Sequence, residues 1–272
     1  MKTLANQTLL YDDGCPLCSV YTSGFIKTGM LDARGRKPYA QLTDDEMIYV
    51  DVQRAANEIA LIDRQNKTVI YGIDSLLKVI GNSFPLAATV GNFKPLHYLL
   101  AKLYSFISYN RKVIIPNKKN DTALQCIPDF KYDYRIAYIV FATLVTAIVL
   151  FNYSILIETR PHGNFGRELA LATGQIIFQG LFLLNRDKET TLNYFGNLIT
   201  VSLMGSLLLV PMLLLSHFFA IHQLLILGWF GLTAAIMFAE HYRRIIILRS
   251  PHYLCYTWVT YRLIALALIL NL

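Results

Sequence analysis

The sequence predicts a two-part chain: an α/β domain over residues 1–115 and an all-α transmembrane domain over residues 136–272, joined by a basic linker at 116–135. Three observations predict it. Composition shifts sharply near residue 135, with most acidic residues before that point and long apolar runs after it. The whole chain is 54% hydrophobic with a mean hydropathy of +0.41, as expected of a membrane protein. Short β-branched runs and helical patterns alternate through the first part in the order βαβαββα.

In chain order, Leu9, Leu10 and Tyr11 read as a short buried strand, and Asp12-Asp13-Gly14 is turn chemistry. Ser19–Lys27 continues as a helix, with Pro16 suited to its first turn because the missing N–H costs nothing there. Lys37–Leu42 reads as a second strand. Thr43 to Glu46 forms a capping box that opens a helix over Asp44–Arg54. Ile59–Asp63 and Thr68–Tyr71 make a hairpin across Arg64–Lys67, Gly72 breaks the strand, and Ser75–Ile80 begins a helix. Residues 84–115 hold a helix crowded with Leu96, Leu99, Leu100, Leu103, Tyr104, Phe106 and Ile107, which also carries Lys94, His97 and Lys102. Such a helix either covers the sheet or lies in the bilayer interface with its lysines at the headgroups. Arg111-Lys112 and Pro116–Asp121 then read as polar linker.

The chemistry concentrates at Cys15-Pro16-Leu17-Cys18. A thiol at a helix N-terminus faces unpaired N–H groups and the positive end of the dipole, which favours its thiolate. Cys15 is therefore expected as the exposed attacking thiolate, and Cys18, one turn further in, as the resolving thiol. Half a zinc site is one rival reading, but a closed zinc site wants four ligands, and the only other cysteines are Cys126 and Cys255. A buried, inert pair is the other.

Tyr11-Asp12-Asp13-Gly14-Cys15-Pro16-Leu17-Cys18 after a strand resembles the signature of the DCC family of thiol–disulfide oxidoreductases. That family is named for an aspartate three residues before a CxxC, here Asp12, Cys15 and Cys18. Ile59–Asp63 with Thr68–Leu77 is similar to its second block, and the likeness covers about residues 7 to 115. The resemblance implies a thioredoxin-like fold for the N-terminal domain and a redox role for the two cysteines. For Asp12 two roles stay open. It holds the turn or caps the helix, or, partly buried, it moves a proton to or from Cys18.

Beyond the linker, apolar segments recur at Ile136–Ile157, Leu169–Leu184, Phe195–Phe219, Leu224–Ala239 and Leu254–Leu272, giving about five spans, with four as the fallback. Pro211 should kink the third. Arg111, Lys112, Lys118, Lys119, Lys131 and Arg135 precede the first span, whereas Arg160 and Arg167 are the only basic residues in the opposite loops. That bias puts the N-terminus inside and the C-terminus outside. Met1–Leu10 lacks the apolar core of a secretory signal, so the N-terminal domain is expected in the cytoplasm of a bacterial-type inner membrane, where a CxxC is more often catalytic than structural. By the same reading all four cysteines lie at the inner face.

Several polar residues fall in or beside the spans. Arg262 either marks a paired site in the bundle or snorkels to its inner end. Gln175 and Gln179 share a helix face, suited to interhelical hydrogen bonds or to a quinone-like head group. His217, His222 and His162 are structural or interfacial, or ligands of a metal or haem.

The net charge of +7 sits beside apolar segments and reads as attraction to anionic lipid rather than to nucleic acid. The expected function is thiol–disulfide exchange with a protein or small-molecule thiol or disulfide. The cysteines carry the electrons, so no bound cofactor is called for. Two alternatives are a membrane scaffold or transporter-like protein with a redox-sensing DCC domain, and an electron relay linked to a quinone.

Overall fold

The computed structural model describes residues 2–116, 124, 126–157 and 163–271. The chain divides into two compact units, Met1–Tyr134 and Arg135–Leu272.

The N-terminal unit runs β1 (Gln7–Tyr11), α1 (Pro16–Lys27), β2 (Arg36–Pro38), α2 (Asp44–Met47), α3 (Val52–Asn57), β3 (Ala60–Asp63), β4 (Thr68–Tyr71), α4 (Ile73–Ser83), α5 (Pro85–Gly91) and α6 (Lys94–Ile114). Its four strands form one mixed sheet in the order β2-β1-β3-β4. β1 pairs parallel with β2 and antiparallel with β3, which pairs antiparallel with β4 across the expected hairpin. Every residue of β1 is buried, because both faces of the sheet are covered. On one face Leu9 and Leu61 pack with Leu31 and Val79, backed by Tyr21, Phe25 and Tyr104. On the other, Leu10, Ala60 and Ile62 pack with Tyr39, Leu42, Val50 and Ala55. A central strand buried on both sides makes a fixed platform for the loop that follows it.

Two local readings change and two hold. The second strand is only Arg36–Pro38, since Pro38 has no N–H to extend the ladder and Tyr39–Gln41 turns into a 3₁₀ helix. The helix expected over Asp44–Arg54 is two short ones, because Asp51 starts α3 afresh by accepting the Arg54 N–H (2.9 Å). Glu46 does take the Thr43 N–H (2.9 Å), as its part in the capping box requires, and also pairs with Lys37 at 2.6 Å. Gly72 ends β4 at φ 65°, where a Cβ would also meet the Glu58 carboxylate, so only glycine fits that turn.

The segment expected as linker is in part structural. Asn57 donates to the Asp129 carboxylate (2.9 Å) and accepts the Asp129 N–H (2.7 Å), which fastens the chain after α6 back onto α3. The unit boundary therefore falls at Tyr134, not at residue 115. Residues 117–121 of the polar run lie outside the described residues, as do Arg160 and His162.

The C-terminal unit is helical: α7 (Tyr132–Leu156, which begins in the preceding unit), α8 (Phe165–Leu181), α9 (Lys188–Phe218), α10 (Gln223–Ile247) and α11 (Tyr253–Asn271). Four of these, α7, α9, α10 and α11, are long and apolar enough to cross a membrane. The expected second span falls short. At 17 residues α8 reaches about 26 Å, less than the ~30 Å of a bilayer core, and it opens on Arg167 and Glu168. It still runs antiparallel beside α11, joined by Gln179 to the Leu254 carbonyl (3.3 Å) and by the Tyr261 hydroxyl to the Leu171 carbonyl (2.7 Å). Tyr138 with Thr200 (2.7 Å) and Tyr153 with the Ile226 carbonyl (2.8 Å) tie α7 to α9 and α10. Gly205 lets α10 approach closely, since a Cβ there would collide with Met237. Pro211 lies within a helix that continues past it.

Candidate functional site

The site grows out of the end of β1. The strand stops at Tyr11, the Asp12 carbonyl accepts the Cys15 N–H (3.0 Å) to close the turn, and Cys15 becomes the N-cap of α1. As N-cap, its Sγ accepts the Cys18 N–H at 3.5 Å, one of the helix's orphan donors. Both cysteines are free thiols, as are Cys126 and Cys255.

The two sulfurs are held in opposite states. The hydrogen bond from the Cys18 thiol pulls Cys15 down to about 6 against the opposing effect of burial, with help from the Cys18 N–H and from Arg111. The same thiol–thiol hydrogen bond, followed by burial and the charge on Cys15, pushes Cys18 well up. Cys15 is thus the thiolate and Cys18 the thiol. Exposure departs from expectation, however. Cys15 is 2% exposed and Cys18 is the more accessible of the two. Cys15 opens instead onto a cavity of about 180 Å³ lined by both cysteines, Asp12, Arg111, Cys126 and mostly apolar side chains.

Asp12 is buried and paired with two cations from α6, Lys112 at 2.9 Å and Arg111 at 3.5 Å. Arg111 does more than balance that charge. Its guanidinium donates to the Ala56 (2.7 Å) and Asn57 (3.3 Å) carbonyls at the C-terminal end of α3, a position the helix dipole favours for a cation. It also donates to the Cys126 carbonyl (3.3 Å) and lies 3.1 Å from the Cys126 sulfur. Burial pushes the Cys126 thiol up to about 11 despite that neighbour.

Sequence reasoning brought Asp12, Cys15 and Cys18 together and missed Arg111, Lys112 and Cys126. In sequence the two cations look like linker and orientation charge. One signal was present: Tyr104, Ser108 and Arg111 sit at i, i+4 and i+7, a polar stripe on one face of an otherwise apolar helix. Tyr104 accepts the Ile59 N–H (2.7 Å) and Ser108 donates to the Asn57 carbonyl (2.5 Å), so the whole stripe is engaged with the fold.

In the helical unit Gln179 also accepts from Thr257 (3.0 Å), the packing role expected of it. Arg262 lies over the Trp258 ring (5.0 Å) and near the Ser202 hydroxyl (3.4 Å). His222 caps α10 by accepting the Leu224 N–H (3.2 Å), and His217 contacts the Leu213 carbonyl of its own helix (3.2 Å). Among the described residues, no group of histidine, cysteine and carboxylate side chains has the proximity to hold a metal. Cys255 is buried in the helical core with Leu254 and Trp258 and belongs to a different unit from Cys126.

Fold and site together define a membrane protein that carries an α/β unit with a polarised, cavity-lining dithiol. No family model, no curated protein and no solved structure matches the chain.

Proposed function

We propose that the chain is a membrane-anchored thiol–disulfide oxidoreductase of the DCC type, with a thioredoxin-like N-terminal domain at the cytoplasmic face of a bacterial-type inner membrane. The observation that carries the reading is the division of labour in the dithiol: Cys15 at about 6 and Cys18 held protonated one turn further along α1. A dithiol that follows a buried strand into a helix, on a sheet ordered β2-β1-β3-β4, supports the thioredoxin-like assignment.

The Cys15 thiolate attacks one sulfur of a substrate disulfide, forms a mixed disulfide and expels the first thiolate. Cys18 yields its proton to that leaving group and attacks the Cys15 sulfur, which expels the second thiolate. The substrate gains two electrons and the protein is left as the Cys15–Cys18 disulfide, to be reduced again by a partner dithiol. Asp12 acts as a positioning residue that locks the loop onto α6 through Arg111 and Lys112. The test uses the full chain in membranes. Cys18→Ser should trap a mixed disulfide through Cys15, and Cys15→Ser should abolish turnover; turnover that survives Cys15→Ser refutes the assignment.

A second reading passes the electrons on to a membrane quinone, and one observation favours it. Gln175, Tyr194, His241, Trp258 and Arg262 each hold a buried polar atom with no hydrogen-bond partner among the described residues. Several run together: Tyr194 meets His241 at 6.2 Å, His241 stacks on Trp258 at 5.6 Å, and Arg262 covers Trp258. Unsatisfied buried donors call for an acceptor, which a quinone carbonyl supplies. Oxidation of the reduced protein by added ubiquinone, lost in Arg262→Leu, would establish it; a rate indifferent to quinone removes it.

A further inference from the structure

We propose that the dithiol serves small apolar disulfides, with a group the size of one aromatic ring beside the sulfur, and not disulfides on the surface of a folded protein. This rests on the oxidoreductase reading and adds the class of substrate.

Access is the first argument. A disulfide sulfur must approach Cys15 along the line of the bond it will break, yet Cys15 is 2% exposed and, among the described residues, lines this cavity. A disulfide anchored on a folded surface cannot be brought in past the side chains around it. A slender molecule can enter.

Size and chemistry are the second. The cavity is about 180 Å³, and an apolar cavity of about 150 Å³ is enough to bind benzene. Its wall is largely apolar, with Leu10, Tyr21, Tyr39, Ile59, Leu76 and Tyr104 among the lining residues. The charged and polar groups in the lining are already engaged. Glu58 takes Arg54 at 3.3 Å, Ser108 gives its hydrogen to the Asn57 carbonyl, and Arg111 is ion-paired with Asp12 and donates to two α3 carbonyls and Cys126, its Nε alone having no hydrogen-bond acceptor among the described residues. Little remains to recognise the charges of a peptide or of glutathione, so binding falls to apolar contact.

The chemical step is the exchange already given. With an aryl disulfide, Cys15 bonds to one aryl sulfur and the other leaves as an arenethiolate; Cys18 then displaces the second, and two arenethiols are released for one protein disulfide.

The experiment uses the reduced full chain in lipid nanodiscs with 4,4′-dithiodipyridine, oxidised glutathione and insulin. Each rate is divided by that of the same disulfide with free dithiothreitol, which removes intrinsic reactivity. The normalised rate should be at least tenfold higher for dithiodipyridine than for glutathione or insulin. Ile107→Trp and Leu17→Trp, which add bulk at half-exposed positions of the cavity wall, should each erase that preference while the Cys15 thiolate still titrates near 6. Insulin reduced as fast as dithiodipyridine on this scale overturns the proposal but leaves the oxidoreductase standing. So does a preference untouched in both variants with the titration intact. Failure to reduce any of the three, with the thiolate present, overturns the oxidoreductase itself.

Discussion

At the scale of single residues, one turn of helix separates two thiols with opposite chemistry. Cys15 occupies the N-cap and receives hydrogen bonds from the Cys18 N–H and thiol; Cys18, the donor of both, loses access to its anion. Alkylation of reduced Cys15 should therefore rise with a midpoint near pH 6, while Cys18 stays unlabelled through neutrality. Folding lowers the Cys15 value from 9.0, so in the reduced protein its contribution is present at about pH 9 and lost as pH falls through 6. Cys15→Ser should flatten that slope in denaturant titrations. Asp12 is the second residue to test. Asp12→Asn leaves Arg111 buried beside a neutral amide, and breaking such a pair costs about 3 kcal/mol. A large fall in stability is expected; unchanged melting with slowed turnover would instead support proton transfer by this carboxylate.

Among the elements, α6 was the hardest to read. Its apolar residues outnumber what the sheet can cover, so one side faces the fold and the other is left exposed. Tyr104, Ser108 and Arg111 face the fold, whereas Tyr98, Leu99 and Leu103 are 66%, 61% and 52% exposed, beside Phe93 and with Lys94 and Lys102 nearby. The exposed side matches an interfacial helix. Residues 1–134 alone should co-sediment with anionic vesicles, and Leu99→Glu with Leu103→Glu should abolish it; binding indifferent to both substitutions would count against the interfacial role. The strands and α1 were legible because β-branched runs, turn residues and the Pro16 start are local signals. Arg111 was not, since its partners lie 54 and 55 residues back in α3 and 99 back at Asp12, and no periodicity reports a contact of that range.

For the molecule as a whole, composition shifts near residue 135, and the two compact units divide at 134/135. The end of the N-terminal fold was less visible, because a polar run looks like linker whether or not it packs. Cys126 and Asp129 supply bonds to Arg111 and Asn57 that a chain ending at residue 115 lacks. A fragment of residues 1–134 should accordingly melt several degrees higher than one of residues 1–115, and equal melting would show the Asp129 fastening to be idle. Hydropathy found the membrane segments but not their lengths. It counted the short segment of α8 as a fifth span, since apolar content says nothing of where a cap such as Asn164 starts a helix. Of the basic residues counted before the first span, Arg111 and Arg135 are both buried, which leaves Lys112, half-buried, and Lys131, exposed, among the described ones.

The hydrogen bonds on the Cys15 sulfur have an electrochemical consequence. Stabilising the thiolate stabilises the reduced pair, which makes the disulfide the stronger oxidant. With Cys15 at about 6, the thiolate outnumbers the thiol about tenfold at pH 7, and a tenfold factor is about 30 mV for a two-electron couple. Reduction takes up two protons below that value and one above it. The midpoint potential should therefore fall by about 59 mV per pH unit below pH 6 and by about 30 mV per unit above it. A break in that line near pH 6 reports the Cys15 thiolate directly, and a single slope from pH 5 to pH 8 would mean that the sulfur carries no such charge.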